Sequence, residues 1–453
     1  VFMHSYLNPS NELLVEKIAK KVGFEHISLS HKVAKTVRFV SRGETTCVDA
    51  YLTPILRAYI SKLSKRLPEV PIEFMQSHGG LVSAHLFSGK NSVLSGPAGG
   101  VVGTARTAEK NSRKSVIGFD MGGTSTDVCH YAGQYERQFE NEVNGVKLNI
   151  PMMAIETVAA GGGSVVDFDG VKMRVGPESA GSNPGPACYK KGGPLTVTDC
   201  NVLLGKIRPG YFPKTFGVDN KQEIDTAEVI KKFESLTKAI NDSSDTDMSS
   251  EDVAEGFIHI AVSKMADAIR KISTQKGIDL SNYVLNCFGG AAGQHACQVA
   301  DALGISTILI DENASLLSAV GVGCAKIAEI KEETINIQFS EEALQRTRTR
   351  LLEVKKQLSK KLLKQGIAEE NQETLISFRL KYEGTDDSLE VTLASYREMN
   401  SQFEKQYNER YGFLEKDSAI IITSVLIETI GQENKEDESF PVELRAEPKT
   451  IGE

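Results

Sequence analysis

The stretch Ser115–Tyr131, SVIGFDMGGTSTDVCHY, restricts the possible folds of this chain more than any other segment. Val116, Ile117 and Phe119 are typical of a buried strand, and Val128 and Tyr131 indicate a return strand. Between them, Gly122 and Gly123 predict a tight turn. We therefore expect two neighbouring strands joined by a turn.

The residues in and around this turn have polar and charged side chains that could bind a ligand. Three hydroxyls, on Thr124, Ser125 and Thr126, lie between the carboxylates of Asp120 and Asp127. Glycines without a Cβ let backbone N–H groups approach an anion closely, and a carboxylate at a strand end can hold Mg²⁺ or orient a water. These are the parts of a phosphate-binding hairpin. The alternative is an ordinary turn formed by Asp and Thr, and on the residues alone the two interpretations have equal support.

Length and composition limit the function classes. The chain has 453 residues, enough for about three domains. Its net charge of −8 argues against nucleic acid or an anionic membrane as partner, and no apolar run approaches the roughly 18 residues of a spanning helix. We expect no signal peptide, and the seven cysteines show no CxxC spacing, so we expect reduced thiols in a cytoplasmic protein.

The start of the chain suggests a fragment. Val1 opens an apolar segment, VFMHSY, that is typical of a strand inside a domain. We therefore expect a piece of a longer chain, cut inside or just before a domain.

Residues 1–110 are predicted to alternate helices and strands. Helical patterns cover 11–21 and 48–63, and Pro54 should kink the second helix unless a helix begins there. A small-residue helix is expected from Ser95 to Ala108. Its glycines favour close helix packing, with the approach of a ligand as the alternative.

Two glycine-rich segments follow the hairpin. The run 157–164 is either a flexible turn or a second backbone cradle that faces the first. Residues 175–188 contain three prolines and three glycines, which predicts an ordered functional loop rather than a helix or a central strand. Asp199, which precedes an apolar helix, is interpreted as a helix N-cap, with a functional carboxylate as the alternative.

Residues 283–310 predict a βαβ unit. The strand 283–288 leads through the glycine-rich turn 289–293 into a helix of small residues, and the strand 307–310 follows. Open α/β sheets bind ligands at the carboxyl ends of their strands, so this turn should face a ligand. His295 in the helix is interpreted as a packing or surface residue.

After about residue 330 the sequence pattern predicts an α+β domain, in which we identify no candidate catalytic or binding residues. Helices are expected at 341–365 and 401–411, and strands at 375–380, 389–393 and 420–430. The charged run 431–439 should be solvated surface.

Several motifs of this chain resemble, in the same order along the sequence, those of the hydantoinase A / 5-oxoprolinase family. The resemblance is strongest to the ATP-hydrolysing 5-oxoprolinases of that family. The resemblance covers nearly the whole chain. Its main motifs are DMGGTSTD (120–127), GGGS (161–164), GPESAG (176–181), NPGPACY (183–189), TVTD (196–199) and FGGA (288–291).

The resemblance implies an α/β fold, namely the two-lobed ATPase fold shared by actin, heat-shock chaperones and sugar kinases, with the first lobe truncated. Residues 1–111 would be the remainder of the first lobe, 112–330 the second lobe, and 331–453 a C-terminal α+β domain. The family's other phosphate hairpin is absent from this sequence. We therefore expect the chain to fold but to be inactive alone. This chain has Ala292 where the family commonly has Gly. Alanine fits an adenosine turn with a helical φ at this position, whereas a positive φ there would lower the affinity for the nucleotide.

The resemblance also implies a site for ATP and Mg²⁺. Asp120 would hold Mg²⁺ and act in catalysis with Asp127, while Gly289 and Gly290 would form an adenosine turn. The remaining residues expected to bind the nucleotide are Gly122, Gly123, Thr124, Ser125, Thr126, Gly162 and Gly163.

The implied activity is ATP-dependent hydrolysis of a cyclic amide, 5-oxo-L-proline to L-glutamate with ADP and phosphate. A hydantoinase B-like region or subunit and an oligomeric assembly are the implied partners. The alternatives are a hydantoin hydrolase, a subunit of an ATP-dependent ketone carboxylase, and a non-catalytic nucleotide-binding scaffold.

Overall fold

A computed structural model describes residues 1–274, 277–415 and 417–432. No helix among these residues is both long and apolar enough to cross a membrane. The α-helices of the described residues are α1 (Ser10–Val22), α2 (Ser30–Val33), α3 (Phe39–Arg66), α4 (Ser95–Lys110), α5 (Val197–Leu203), α6 (Thr226–Ser244), α7 (Ser250–Thr274), α8 (Ala296–Leu303), α9 (Leu317–Cys324), α10 (Glu341–Leu363) and α11 (Tyr396–Tyr411).

The strands of the same residues form several small sheets and two large ones. They are β1 (Glu73–Met75), β2 (Leu81–Ser83), β3 (Val116–Met121), β4 (Thr126–Tyr131), β5 (Arg137–Gln138), β6 (Asn141–Val143), β7 (Val146–Leu148), β8 (Met152–Met153), β9 (Ile155–Val158), β10 (Ser164–Phe168), β11 (Met173–Ser179), β12 (Val284–Phe288), β13 (Thr307–Leu309), β14 (Ala328–Gln338), β15 (Gln372–Tyr382), β16 (Leu389–Thr392) and β17 (Ile420–Gly431).

The central sheet has the strand order β13-β12-β3-β4-β9. Strand β12 runs parallel to β3 and β13, which confirms the predicted βαβ unit, and β4 runs antiparallel to both of its neighbours, β3 and β9. Ile117 and Phe119 of β3 are fully buried, as the apolar pattern predicts, and Phe257 and Met265 of α7 belong to the same core.

The order of these strands reverses between β3 and β12. From β3 the chain continues to β4 and β9 on one side, and it later returns to β12 and β13 on the other. Asp120 and Phe288, at the carboxyl ends of the two parallel strands, are register partners. Such a reversal point is where open α/β sheets bind ligands.

Helices α4 and α9 cross at glycines. A Cβ on Gly321 would lie 1.9 Å from the carbonyl oxygen of Gly99, and one on Gly103 would lie 2.6 Å from that of Leu317. This contact confirms that the glycines of α4 serve close helix packing.

The C-terminal sheet is antiparallel, with the order β14-β17-β15-β16, and α10 and α11 contribute to its core. Arg137 of β5 connects the central part to this sheet through a bidentate ion pair with Glu428. The described part of the chain after residue 330 thus contains two long helices and an antiparallel sheet. Residues 433–439 of the charged run lie outside the described residues.

Three local predictions were wrong. The first residues form a turn instead of a strand, because Arg42 donates hydrogen bonds to the carbonyls of Phe2 and Met3 that a neighbouring strand would need. Residues 1–110 are mainly helical, with one short hairpin, instead of alternating helices and strands, and the second predicted helix, α3, continues through Pro54. Residues 175–179 belong to β11, which tolerates Pro177 because β10 and β11 form only a two-stranded sheet.

Candidate functional site

The hairpin predicted from the sequence is present between β3 and β4. Asp120 pairs with Asp127, and Met121 pairs with Thr126. The Gly122 N–H donates to the Ser125 carbonyl at 3.0 Å and closes the turn. The two carboxylates therefore lie opposite each other on neighbouring strands, at the reversal point of the sheet.

The turn offers free hydrogen-bond donors. Among the described residues, the N–H groups of Gly123, Thr124 and Ser125 have no protein acceptor, and neither do the hydroxyls of Thr124 and Ser125. The Thr126 hydroxyl differs, because it is buried and donates to the Ala160 carbonyl at 2.5 Å. Three amides and two hydroxyls are thus available to an anion, whereas Thr126 fixes the turn to the chain behind it.

The glycine run lies directly against the back of this turn. The Gly162 and Gly163 N–H groups donate to the carbonyls of Gly122 and Gly123 at 3.1 and 2.6 Å. A Cβ on Gly161 would lie 2.6 Å from the carbonyl carbon of Thr124, so only glycine allows this approach. The geometry gives Gly162 and Gly163 a supporting contact, and their direct binding of a cofactor stays a prediction.

Asp120 is half-buried at the end of β3. Burial raises the pKa of its carboxyl, a hydrogen bond from Ser318 lowers it, and the nearby charge of Asp127 raises it again, so that the net shift is upward. The Ser318 hydroxyl donates to Oδ2 of Asp120 at 3.0 Å. The carboxylate is therefore partly desolvated and oriented by one hydroxyl.

Asp127 has a similar environment on β4. Burial raises the pKa of its carboxyl, and a hydrogen bond from Thr157 partly opposes this effect. The Thr157 hydroxyl donates to Oδ1 of Asp127 at 2.6 Å. Two half-buried acids side by side repel one another when both are ionised, and a cation between them would relieve this repulsion.

Both carboxylates line one small cavity. Its volume is about 10 Å³, which is room for one water-sized sphere. The described residues contain no cluster of three or more His, Cys, Asp or Glu side chains that could enclose a metal ion. Two carboxylates with open space fit Mg²⁺, which binds oxygen and retains water or phosphate ligands rather than a complete protein cage. The other lining residues are Pro97, Gly100, Val101, Val128, Cys129, Ile155 and Phe288.

The predicted adenosine turn lies beside the hairpin. Gly289 has φ +89°, and a Cβ there would lie 2.4 Å from Oδ1 of Asp120. The Ala291 N–H donates to the Met121 carbonyl at 3.0 Å. Gly290 is exposed and has open space around it. Ala292 begins a short 3₁₀ turn without a positive φ, so alanine fits this position.

Asp199 stabilises the start of α5, but it is not the N-cap residue that the sequence predicted. Thr196 is the N-cap of α5, and Asp199 is the third helical residue of a capping box. Asp199 is fully buried and accepts hydrogen bonds from the N–H groups of Ala187 and Cys188 at 3.0 and 2.8 Å. It therefore anchors the end of the preceding loop.

His295 is a packing residue, as predicted. Its side chain is fully buried, its Nε2 lies 3.1 Å from Nδ2 of Asn201, and burial lowers its pKa to about 4. The imidazole is therefore neutral near pH 7.

Sequence reasoning missed the two hydroxyls that hold the carboxylates. Thr157 faces Asp127 across β4 and β9, and only a known strand register could have indicated this pairing. Ser318 lies 198 residues after Asp120 in sequence, and no local pattern connects them.

Comparison with known proteins agrees with this architecture. The chain is 42% identical over 447 residues to 5-oxoprolinase 1 of Arabidopsis thaliana, covering 95% of this chain and 35% of that protein. The crystal structure of the ATP-dependent caprolactamase of Pseudomonas jessenii superposes with a TM-score of 0.80 at 26% identity, covering 96% of this chain and 64% of that one. The nucleotide-free structure of acetone carboxylase shares the fold, with a TM-score of 0.70 at 24% identity, covering 95% of this chain and 63% of that one.

The chain therefore spans about a third of the length of curated relatives such as the Arabidopsis protein. The sequence pattern described as Hydantoinase/oxoprolinase matches residues 42–331, which is more than half of the chain. This match and the 42% identity across 95% of the chain show that the protein belongs to the hydantoinase/oxoprolinase family.

Proposed function

We propose that the intact protein carrying this chain hydrolyses 5-oxo-L-proline to L-glutamate, with conversion of ATP to ADP and phosphate. The observation that carries the proposal is the hairpin turn, where three unpaired N–H groups lie next to Asp120 and Asp127 at the reversal point of the sheet. The 42% identity to a 5-oxoprolinase supports the choice of substrate.

We further propose that the chain has part of a two-lobed ATPase fold. Residues 112–330 would form one lobe of the two-lobed ATPase fold of actin, heat-shock chaperones and sugar kinases, and 1–111 the remainder of the other lobe. The five-stranded sheet, with its hairpin and its parallel βαβ unit, supports the first assignment. Residues 331–453 would be the C-terminal α+β domain, supported by the separate four-stranded sheet within the described residues.

In the proposed nucleotide site, the turn contacts the phosphates. The N–H groups of Gly123, Thr124 and Ser125, together with the hydroxyls of Thr124 and Ser125, would neutralise charge on the phosphate oxygens. Such donors act strongly because they are fixed before the charge develops. Gly290 would let the adenosine approach the backbone, since its surroundings are open.

Asp120 would bind Mg²⁺ directly or through water, and Asp127 would share this task. When bound, the ion would neutralise phosphate charge and orient the transferred group. The protein's own contribution is to hold the two carboxylates at the cavity edge and to limit the access of water there.

The amide of 5-oxoproline is unstrained and a poor electrophile. Transfer of the terminal phosphoryl group of ATP to its carbonyl oxygen would give an imidate-like phosphate, which water attacks far more readily. Cleavage of the C–N bond after this attack would give γ-glutamyl phosphate, and a second water would hydrolyse it to glutamate and phosphate. In this scheme the chain provides positioning and charge neutralisation and forms no covalent bond with the substrate.

The proposed partner is a hydantoinase B-like region or subunit, in an oligomeric assembly. The support is length, because this chain covers only 35% of the Arabidopsis relative. We place the reaction in the cytoplasm, consistent with seven cysteines that are all free.

The test is ADP release by the intact protein in the presence of 5-oxoproline, with hydantoin, caprolactam and acetone plus bicarbonate as competing substrates. We expect turnover to be fastest with 5-oxoproline and to be lost in Asp120→Asn. Faster turnover with another substrate would replace the substrate assignment, and no substrate-dependent ADP release at all would favour a non-catalytic nucleotide-binding scaffold.

A further inference from the structure

A single row of side chains crosses four strands of the central sheet. Phe288, Asp120, Asp127 and Thr157 are successive register partners on β12, β3, β4 and β9. Directly opposed residues in a sheet project from the same face. The two carboxylates are therefore the inner members of this row, and Thr157 lies at its outer end.

A hydroxyl holds each carboxylate. Thr157 donates to Oδ1 of Asp127 at 2.6 Å, and Ser318 at the start of α9 donates to Oδ2 of Asp120 at 3.0 Å. The second oxygen of each carboxylate has no protein partner among the described residues. Both acids line the same small cavity. Each acid thus has one anchored oxygen and one that is available to a ligand.

Both hydroxyls are on rigid supports. Thr157 lies within β9, in the ladder with β4. Ser318 is on the helix that crosses α4 through glycines, and a Cβ on Gly100 would lie only 3.1 Å from its Oγ. The backbone of neither residue can move far without breaking a strand ladder or a close helix contact. A freely rotating carboxylate would lose rotamer entropy on binding a cation, and these anchors remove part of that loss in advance.

We propose that Ser318 and Thr157 are positioning residues that hold Asp120 and Asp127 in the orientation in which their free oxygens bind one shared divalent cation. This inference rests on the proposed function, because the cation is the Mg²⁺ of the nucleotide site. It adds that two uncharged residues, one of them 198 positions away in sequence from the carboxylate it holds, set the affinity for the ion.

The test measures cation binding directly. Mn²⁺ serves as the probe, and free Mn²⁺ is followed by electron paramagnetic resonance as the intact protein is titrated in the presence of ADP. Hydroxyl partners of ligating side chains typically contribute about 10–100-fold to metal affinity. We expect Thr157→Val and Ser318→Ala each to weaken Mn²⁺ binding by roughly that factor, with the unfolding temperature unchanged.

Two controls separate positioning from general damage. Thr157→Ser retains the hydroxyl and should bind Mn²⁺ within about threefold of the wild type, since a loss of about 10-fold or more requires removal of the hydroxyl itself. Thr374→Val removes a hydroxyl of a strand in the C-terminal sheet, where it contacts Thr429, and should leave binding unchanged. In an Asp127→Asn background, Thr157→Val should have no further effect, because Thr157 acts through Asp127.

The outcomes distinguish the two proposals. Wild-type protein that binds Mn²⁺ while both hydroxyl deletions bind it equally well would overturn the positioning role and leave the proposed function intact. The same holds if Thr157→Val weakens binding equally with and without Asp127. Wild-type protein that binds no Mn²⁺ with ADP would overturn both the nucleotide–metal site and this inference.

Discussion

Replacing Gly289 with alanine should destabilise the candidate site. Gly289 has φ +89°, and an added Cβ would lie 2.4 Å from Oδ1 of Asp120 and 2.6 Å from the Met121 carbonyl oxygen. Relaxation is restricted, because the Gly289 N–H donates to the Ala314 carbonyl at 3.0 Å. Alanine would therefore strain its own backbone and displace the carboxylate at the same time.

The magnitude follows from these two effects. A left-handed conformation costs a non-glycine residue about 1–2 kcal/mol, and overpacking a filled space costs about 1–3 kcal/mol. We expect Gly289→Ala to lower the free energy of unfolding by about 2–5 kcal/mol. The midpoint of thermal unfolding would fall by roughly 2–4 °C for each kcal/mol in a unit of 150–250 residues.

Gly290→Ala is the matched control. Gly290 is exposed, has no atom within 4 Å of an added Cβ and has no positive φ. This variant should unfold at the wild-type temperature or slightly above it, yet bind ADP more weakly if adenosine approaches this backbone. Calorimetry gives the unfolding temperatures and ADP titration gives the affinities. A Gly289→Ala protein as stable as Gly290→Ala, with normal ADP affinity, would refute the reasoning.

Three further predictions concern individual side chains. Asp120→Asn should keep the fold and lower ATP turnover by orders of magnitude in steady-state kinetics, and near-wild-type turnover would contradict its role. Arg137→Ala leaves Glu428 buried without its bidentate partner, so chemical denaturation should show a loss of about 3–5 kcal/mol, and a loss below about 1 kcal/mol would contradict this. Burial raises the pKa of the Glu12 carboxyl, but hydrogen bonds from Ser30 and His31 outweigh this effect and lower the pKa from 4.5 to about 2. The ionised carboxylate therefore stabilises the fold fully above pH 4.5, and this stabilisation is lost as the pH falls towards 2. Hydrogen exchange in α1 should show this acid dependence in the wild type and lose it in Glu12→Gln.

Predictions made from contiguous patterns agree with the structure. The hairpin of β3 and β4 and the βαβ unit that begins at β12 each bring together residues close in sequence, so apolar periodicity and glycine turns were sufficient. The same local reasoning predicted a strand at residues 1–6. It was wrong there because Arg42, which is far from these residues in sequence, occupies the carbonyls of Phe2 and Met3.

In the candidate site, too, the residues of one short motif were predictable, whereas contacts between distant residues were not. Asp120, Asp127 and the turn glycines form one short motif, and the structure brings Gly289 next to them. The supporting contacts were not predictable, because they depend on strand register for Thr157 and on the position of α9 for Ser318. The sequence left the role of the glycine run 161–163 open, and only the structure shows that the Gly162 and Gly163 amides donate to carbonyls of the turn.

The central claim is that the turn between β3 and β4 binds the phosphates of a nucleotide. The most direct measurement is a crystal structure of the intact protein with Mg²⁺ and a non-hydrolysable ATP analogue. We expect phosphate oxygens within hydrogen-bond distance, about 2.7–3.2 Å, of the N–H groups of Gly123, Thr124 or Ser125, with the metal ion next to Asp120. A nucleotide that binds elsewhere and leaves this turn without contact would contradict the account.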